Sequence, residues 1–176
     1  MASVTYGKYV AGLRDLKITN LAGTTQEDLD AAMQATFTPE WDTQKFTGDD
    51  ANKAQRTFLR GGQLEVSAGA ISSAAIAIVT GKSLTTAGGS PNETTTLQLD
   101  EADDMPYFKV YGKSLDDGDG GVQLLFYKVK LTEGLVMTLQ DGEIYTNGFT
   151  CEVFDDGSNG IVQQIQEETD SAVPAS

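Results

Sequence analysis

Histidine is absent from the 176 residues, cysteine and tryptophan occur once each, and proline only four times. The missing imidazole removes Ser-His-Asp and Cys-His catalysis together with nearly all zinc chemistry. The lone Cys151 has no partner for an internal disulfide, which points to folding in a reducing cytoplasm. Positive charge is scarce as well: 12 Lys and Arg stand against 26 Asp and Glu, a net charge of −14. Gripping DNA by its phosphates needs clustered Lys and Arg, so this balance argues against a phosphate-binding protein. No apolar run approaches the ~20 residues of a membrane span, and the opening MASVTYGKYV has no signal-peptide apolar core.

What is present is mostly a period of two. In 33–42, Met33, Ala35, Phe37, Pro39 and Trp41 alternate with Gln34, Thr36, Thr38, Glu40 and Asp42, which predicts a strand with one apolar and one wet face. Pro39 cannot donate to a ladder, so a bulge or an unpaired edge is expected there. In 58–68, Phe58, Leu64, Val66 and Ala68 oppose Gln63, Glu65 and Ser67. Between the two lies DTQKFTGDDANKAQ, turn-forming and charged, read as a long functional loop over 42–55. ISSAAIAIVTGK, 71–82, predicts a helix with Ser72 or Ser73 as N-cap, an apolar stripe of Ala75, Ile76 and Val79, and Gly81 as C-terminal cap. TTQEDLDAAMQA has capping-box spacing from Thr25 to Asp28 but a weak stripe, and reads equally as helix or connection.

Strands are predicted again over 94–100, 106–114, 121–131, 146–154 and 160–166. SLDDGDGG joins two of them as a hairpin, and GVQLLFYKVKL is apolar on both parities up to Phe126, as a strand covered on both faces would be. The fold class is therefore mainly β, a β-sandwich or rolled barrel with one flanking helix. A domain over 11–166 is bracketed by an N-terminal arm, 1–10, and a C-terminal tail, 167–176.

The acidic clusters read first as solvated loop charges, with an adventitious cation site and an enzyme working through carboxylates alone as the alternatives. A calcium loop starting at Asp117 has Asp119 at its third position, but Gly121 at the fifth and Lys128 at the twelfth, where the closing Glu belongs. Asp100, Glu101, Asp103 and Asp104 share no fixed ligand spacing. Paired carboxylates for glycoside hydrolysis want aromatic sugar platforms beside them, and there is one Trp. TTAGGSP and DDGDGG lack the Lys and helix start of a phosphate cradle and read as turns. Cys151 shares the parity of Phe149 and Val153 and reads as a small core residue. No catalytic residue, metal site or cofactor is assigned.

The order of segments carries a resemblance. YGKYVAGLRDLKITNL, TFTPEWDTQKFTGDDANKA, GGQLEVSAGAISSAAIAIVTGK, MPYFKVYGKSLDDGDGGVQLLFYKVKLTEG and YTNGFTCEVF, spread over 6–155, resemble the major tail protein of long-tailed, non-contractile phages, the subunit of the tail tube. The segment TTQEDLDAAMQ departs from the plain short connection that pattern expects. The resemblance implies a tail-tube-like β-sandwich with a flanking helix, assembled in the bacterial host cytoplasm into hexameric rings. Those rings stack into a hollow virion conduit through which DNA passes without specific binding. Its further partners would be the tape measure, terminator and distal tail proteins at the tube ends, with no membrane and no enzymatic role.

On that basis the wet parity of Thr36, Thr38, Glu40, Asp42, Gln63, Glu65 and Ser67, which contains no basic residue, is assigned to the lumen. Fixed negative charge there would repel phosphate. Tyr6, Tyr9, Lys45, Phe46, Asp49 and Asp50 are assigned to contacts between rings. The alternative class is a carbohydrate-binding or adhesin-type β-sandwich. Tyr107 and Tyr111 share one parity and would supply either its sugar platform or a subunit contact.

Overall fold

The computed structural model describes residues 11–29, 32–48, 51–69, 71–100, 104–115, 121–137 and 147–166. Among these, the strands are β1 (Ala11–Asn20), β2 (Gln26–Asp28), β3 (Ala32–Gly48), β4 (Ala51–Ala68), β5 (Thr85–Ala87), β6 (Thr94–Thr96), β7 (Tyr107–Leu115), β8 (Val122–Met137), β9 (Asn147–Val153) and β10 (Gln163–Gln166). One helix, α1 (Ser73–Thr80), interrupts them. The protein is mainly β, as the period of two requires.

Eight of these strands form one antiparallel sheet in the order β2-β1-β7-β8-β9-β4-β3, with β10 also on β8. The long β8 holds it together. Its first half pairs with β7 and β10, and its second half pairs with β9. The sheet thereby divides into two leaves that share β8 and fold over one core, a sandwich in which β1 packs against β3 without sharing a ladder. Leu16, Ile18, Phe108 and Val110 from one leaf meet Leu64, Val66, Phe149, Cys151 and Val153 from the other, all buried. Each large apolar side chain so placed stabilises the fold by about 1.5–3 kcal/mol. The Phe37 and Phe126 rings, 5.2 Å apart, are part of this packing.

The helix forms as its caps predict. Ser72 is the N-cap, its Oγ accepting the Ala75 N–H at 3.0 Å, and Gly81 closes the other end at φ 73°, where a side chain is disfavoured. Ala75, Ile76, Ile78, Val79 and Thr80 are all buried, so α1 is a plug against β1, β2, β7 and β8. The Thr80 hydroxyl, inside that core, donates to the Ile76 carbonyl at 2.7 Å.

Several expectations change. The capping-box spacing at Thr25 does not start a helix: Gln26–Asp28 is a strand on β1, and β3 begins at Ala32. Pairing with an existing edge outweighed a stripe too weak to bury. The strand expected over 94–100 is only Thr94–Thr96, paired with β5 in a small exposed sheet. Leu125 and Phe126 are buried on opposite faces of β8 as expected, whereas Leu124 stays 38 % exposed. The hairpin turn with Asp116, Asp117 and Asp119 lies outside the described residues.

Candidate functional site

The largest correction concerns 42–55. β3 runs to Gly48 and β4 starts at Ala51, so the segment is a two-stranded ribbon, with a second register shift between Phe46 and Thr47; residues 49–50 lie outside the described residues. Its pairs Thr43↔Thr57, Gln44↔Arg56, Lys45↔Gln55 and Phe46↔Ala54 are directly opposed, and the Thr43 and Thr57 hydroxyls stand 3.3 Å apart. β-Branched and aromatic residues at alternating positions favour this over a loop. β9 pairs with β4 only over Gly62–Ala68, so among the described residues the ribbon beyond that row has no third strand. The nine residues from Glu40 to Gly48 carry it ~30 Å out at about 3.4 Å each.

A bulge marks its root. Glu40 opposes Gly61 while Trp41 opposes Leu59, leaving Arg60 as the extra residue. Pro39 sits one row below on the sheet's edge strand, as a residue without an N–H should. The bulge flips the parity of β4. Phe58, expected with Leu64 and Val66, instead faces the same way as Asp42. Arg60 is brought onto the wet face, where it pairs with Asp42 at 2.8 Å; that face therefore does contain a basic residue. Among the described residues no second leaf covers the ribbon above the body. Trp41 is 59 % exposed, so the apolar parity of β3 is not buried along its whole length, and on the opposite face Phe46 is 51 % and Phe58 42 % exposed.

Below the bulge the expected face holds together. Opposed pairs Thr36↔Glu65 and Thr38↔Gln63, with Glu40 and Ser67 in the same alternation, put the assigned lumen residues on one side of β3 and β4. The register then extends this face in a way no local pattern reveals. Gln63 opposes Glu152 and Glu65 opposes Thr150 on β9, while Lys130 and Glu133 of β8 follow in the same rows. Glu40, Glu133 and Glu152 converge with Thr38, Gln63 and Thr132 around an open cleft of about 460 Å³. The alternation of Thr150 and Glu152 with Phe149, Cys151 and Val153 was visible in the sequence. The adjacency of β9 to β4 was not.

The cations near this face are engaged. Lys130 Nζ donates to Asp104 at 2.8 Å, and this hydrogen bond raises its pKa. Lys128 and Lys130 also stand over the Tyr107 ring at 5.0 and 5.4 Å, and that ring meets Phe154 edge-on. No ion pair between described residues involves Glu40, Glu65, Glu133 or Glu152. Among the described residues the face is a strip of carboxylates without ion pairs, set among hydroxyls and amides.

The other assigned residues separate. Lys45 and Phe46 lie exposed on the ribbon; Tyr6, Tyr9, Asp49 and Asp50 lie outside the described residues. Tyr107 is 36 % exposed, but Tyr111 is buried against Leu125, its ring 6.0 Å from that of Tyr127, so it is neither a sugar platform nor a subunit contact. Burial first, and Tyr127 second, push its hydroxyl up to about 12. Cys151 is fully buried, and burial raises its pKa far above the range of a reactive thiol. No helix among the described residues is long and apolar enough to cross a membrane. No family model matches the chain, and no curated protein matches it.

Proposed function

We propose that the protein is a structural subunit that assembles through its ribbon into stacked hexameric rings, forming the tube of a phage tail. The observation that carries this reading is the ribbon itself. Two strands without a third are marginal in water, and this pair exposes three large aromatic side chains. A partner that covers them completes the structure, and the segment order of the sequence resembles proteins whose partner is another ring of the same subunit.

The carboxylate strip supports the conduit half of the reading. Glu40, Glu65, Glu133 and Glu152 on one face, repeated around a ring, would keep phosphate at a distance and leave its counterions mobile. Electron microscopy of the purified protein across a concentration series tests the proposal: rings and tubes are expected. A monodisperse monomer at every concentration overturns it.

A second reading, a carbohydrate-binding module, draws on the exposed Trp41 beside Thr43 and Thr57. Glycan binding by such monomers, lost in Trp41→Ala, would favour it.

A further inference from the structure

The chain holds two asparagine–glycine pairs, Asn147-Gly148 and Asn159-Gly160. Such a pair carries a reaction of its own. The glycine nitrogen, with no Cβ beside it, can attack the asparagine side-chain carbonyl carbon and close a succinimide ring. Where the fold holds that nitrogen decides whether it does. Gly148 lies inside β9, opposite Ser67 of β4 on one side and Val136 of β8 on the other, so its backbone is fixed in the ladder.

Asn159 stands instead in the connection from β9 to β10, exposed to water and part of no strand. A single carboxylate organises this turn. Asp156 Oδ1 accepts the Ser158 N–H at 2.9 Å and the Asn159 N–H at 2.6 Å, and its Oδ2 accepts from Asn159 Nδ2 at 2.7 Å. The backbone donors, Asn159 first, then Ser158, with the Gly160 N–H also on this carboxylate, hold its pKa below the usual range. Asp156 is therefore ionised at neutral pH. One charged group touches both nitrogens whose bonding would change, the one that attacks and the one that leaves.

We infer that Asn159 is a self-modification site, deamidated by attack of the Gly160 nitrogen with Asp156 as proton carrier. Asp156 takes the proton from the Gly160 nitrogen as the N–Cγ bond forms. It returns that proton to Nδ2 as the Cγ–Nδ2 bond breaks, and ammonia leaves. Water then opens the succinimide to aspartate or isoaspartate. The site is exposed, so water is at hand, and no oxidant, metal or second protein enters the balance.

The product works against the turn that made it. A carboxylate at 159 would face Asp156 where Nδ2 had donated, and two like charges in contact repel. An isoaspartate also lengthens the backbone by one methylene. The next element is β10, only 4 residues long, held to β8 by its ladder and by the Tyr127 hydroxyl donating to Gln163 Oε1 at 2.6 Å. Conversion should loosen that strand.

The test incubates the full-length protein at neutral pH and follows the mass gain of replacing NH2 by OH. Cleavage after glutamate separates residues 144–152, with Asn147, from residues 153–167, with Asn159. In the folded protein Asn159 should convert faster than Asn147 by roughly tenfold or more, within the reach of general acid–base catalysis, and in urea the two should convert at similar rates. A folded protein in which Asn159 converts no faster than Asn147 overturns the inference. Asp156→Ser keeps a hydroxyl acceptor for the turn but no base, and should slow Asn159 by roughly tenfold or more. Unchanged or faster conversion in that variant overturns the role of Asp156. Hydrogen exchange at 163–166 should quicken in converted protein, and unchanged exchange overturns the coupling to β10.

Discussion

Arg60 reaches Asp42 across the bulge, its Nη2 donating to Oδ2 at 2.8 Å and its Nε to the same oxygen at 3.2 Å. Arg60 is exposed and Asp42 partly so, and the pair works at the surface, where such contacts contribute about 0–1 kcal/mol. Its position matters more than its strength, because it spans the point where the body of the sheet becomes a free ribbon. Asp42→Asn should therefore change the free energy of unfolding by less than about 1 kcal/mol in urea titration.

The root also depends on two glycines. A Cβ on Gly62 would meet the Phe37 ring at 2.5 Å and the Thr38 carbonyl oxygen at 2.6 Å, and one on Gly61 the Val153 oxygen at 2.7 Å. Gly62→Ala should cost roughly 1–3 kcal/mol, because backbone and a packed ring must move. Gly89→Ala, with nothing within 4 Å, is the control and should be within about 0.5 kcal/mol of the parent by the same denaturation.

The helix cap is a separable contribution. Ser72→Ala removes the acceptor of the Ala75 N–H and should cost about 1 kcal/mol, lowering the melting temperature by roughly 2–4 °C.

Alkaline stability should follow the buried tyrosine. The Tyr111 hydroxyl ionises near 10 in the unfolded chain and at about 12 in the folded one, so its neutral form is favoured by folding. Its contribution is complete below pH ~10 and is lost as pH rises towards ~12. Tyr111→Phe should flatten that loss in denaturation curves at pH 9–12; an unchanged slope would count against this assignment.

The carboxylate strip makes a charge prediction. Glu40→Lys, Glu65→Lys and Glu152→Lys together leave the apolar parity of Phe37, Leu64, Val66 and Cys151 intact, so the subunit should still fold. Assembled tubes of the triple variant should retain linear duplex DNA at low salt and release it as salt rises, about 0.9 per phosphate contact in the log–log slope. Equal retention by parent and variant tubes would reject a lumenal strip.

The strand alternations, the caps of α1, the edge position of Pro39 and the core position of Cys151 were legible because each depends on neighbours within a few residues. A period of two, a Ser three residues before an unsatisfied N–H, or a proline without a donor has the same meaning wherever the chain goes. The bulge at Arg60 was not legible, since one residue of slip between β3 and β4 is a property of the pair. That slip reversed the face of Phe58 and added a cation to a face that looked free of them. Nor could local pattern show Glu133 and Glu152 joining Glu40 and Glu65, because strand order decides which alternating faces become one surface. Composition by itself settled the acidic balance and the absence of imidazole chemistry. Tertiary structure alone decided where that charge gathers, and that Trp41, apolar by parity, projects past the second leaf that would have buried it.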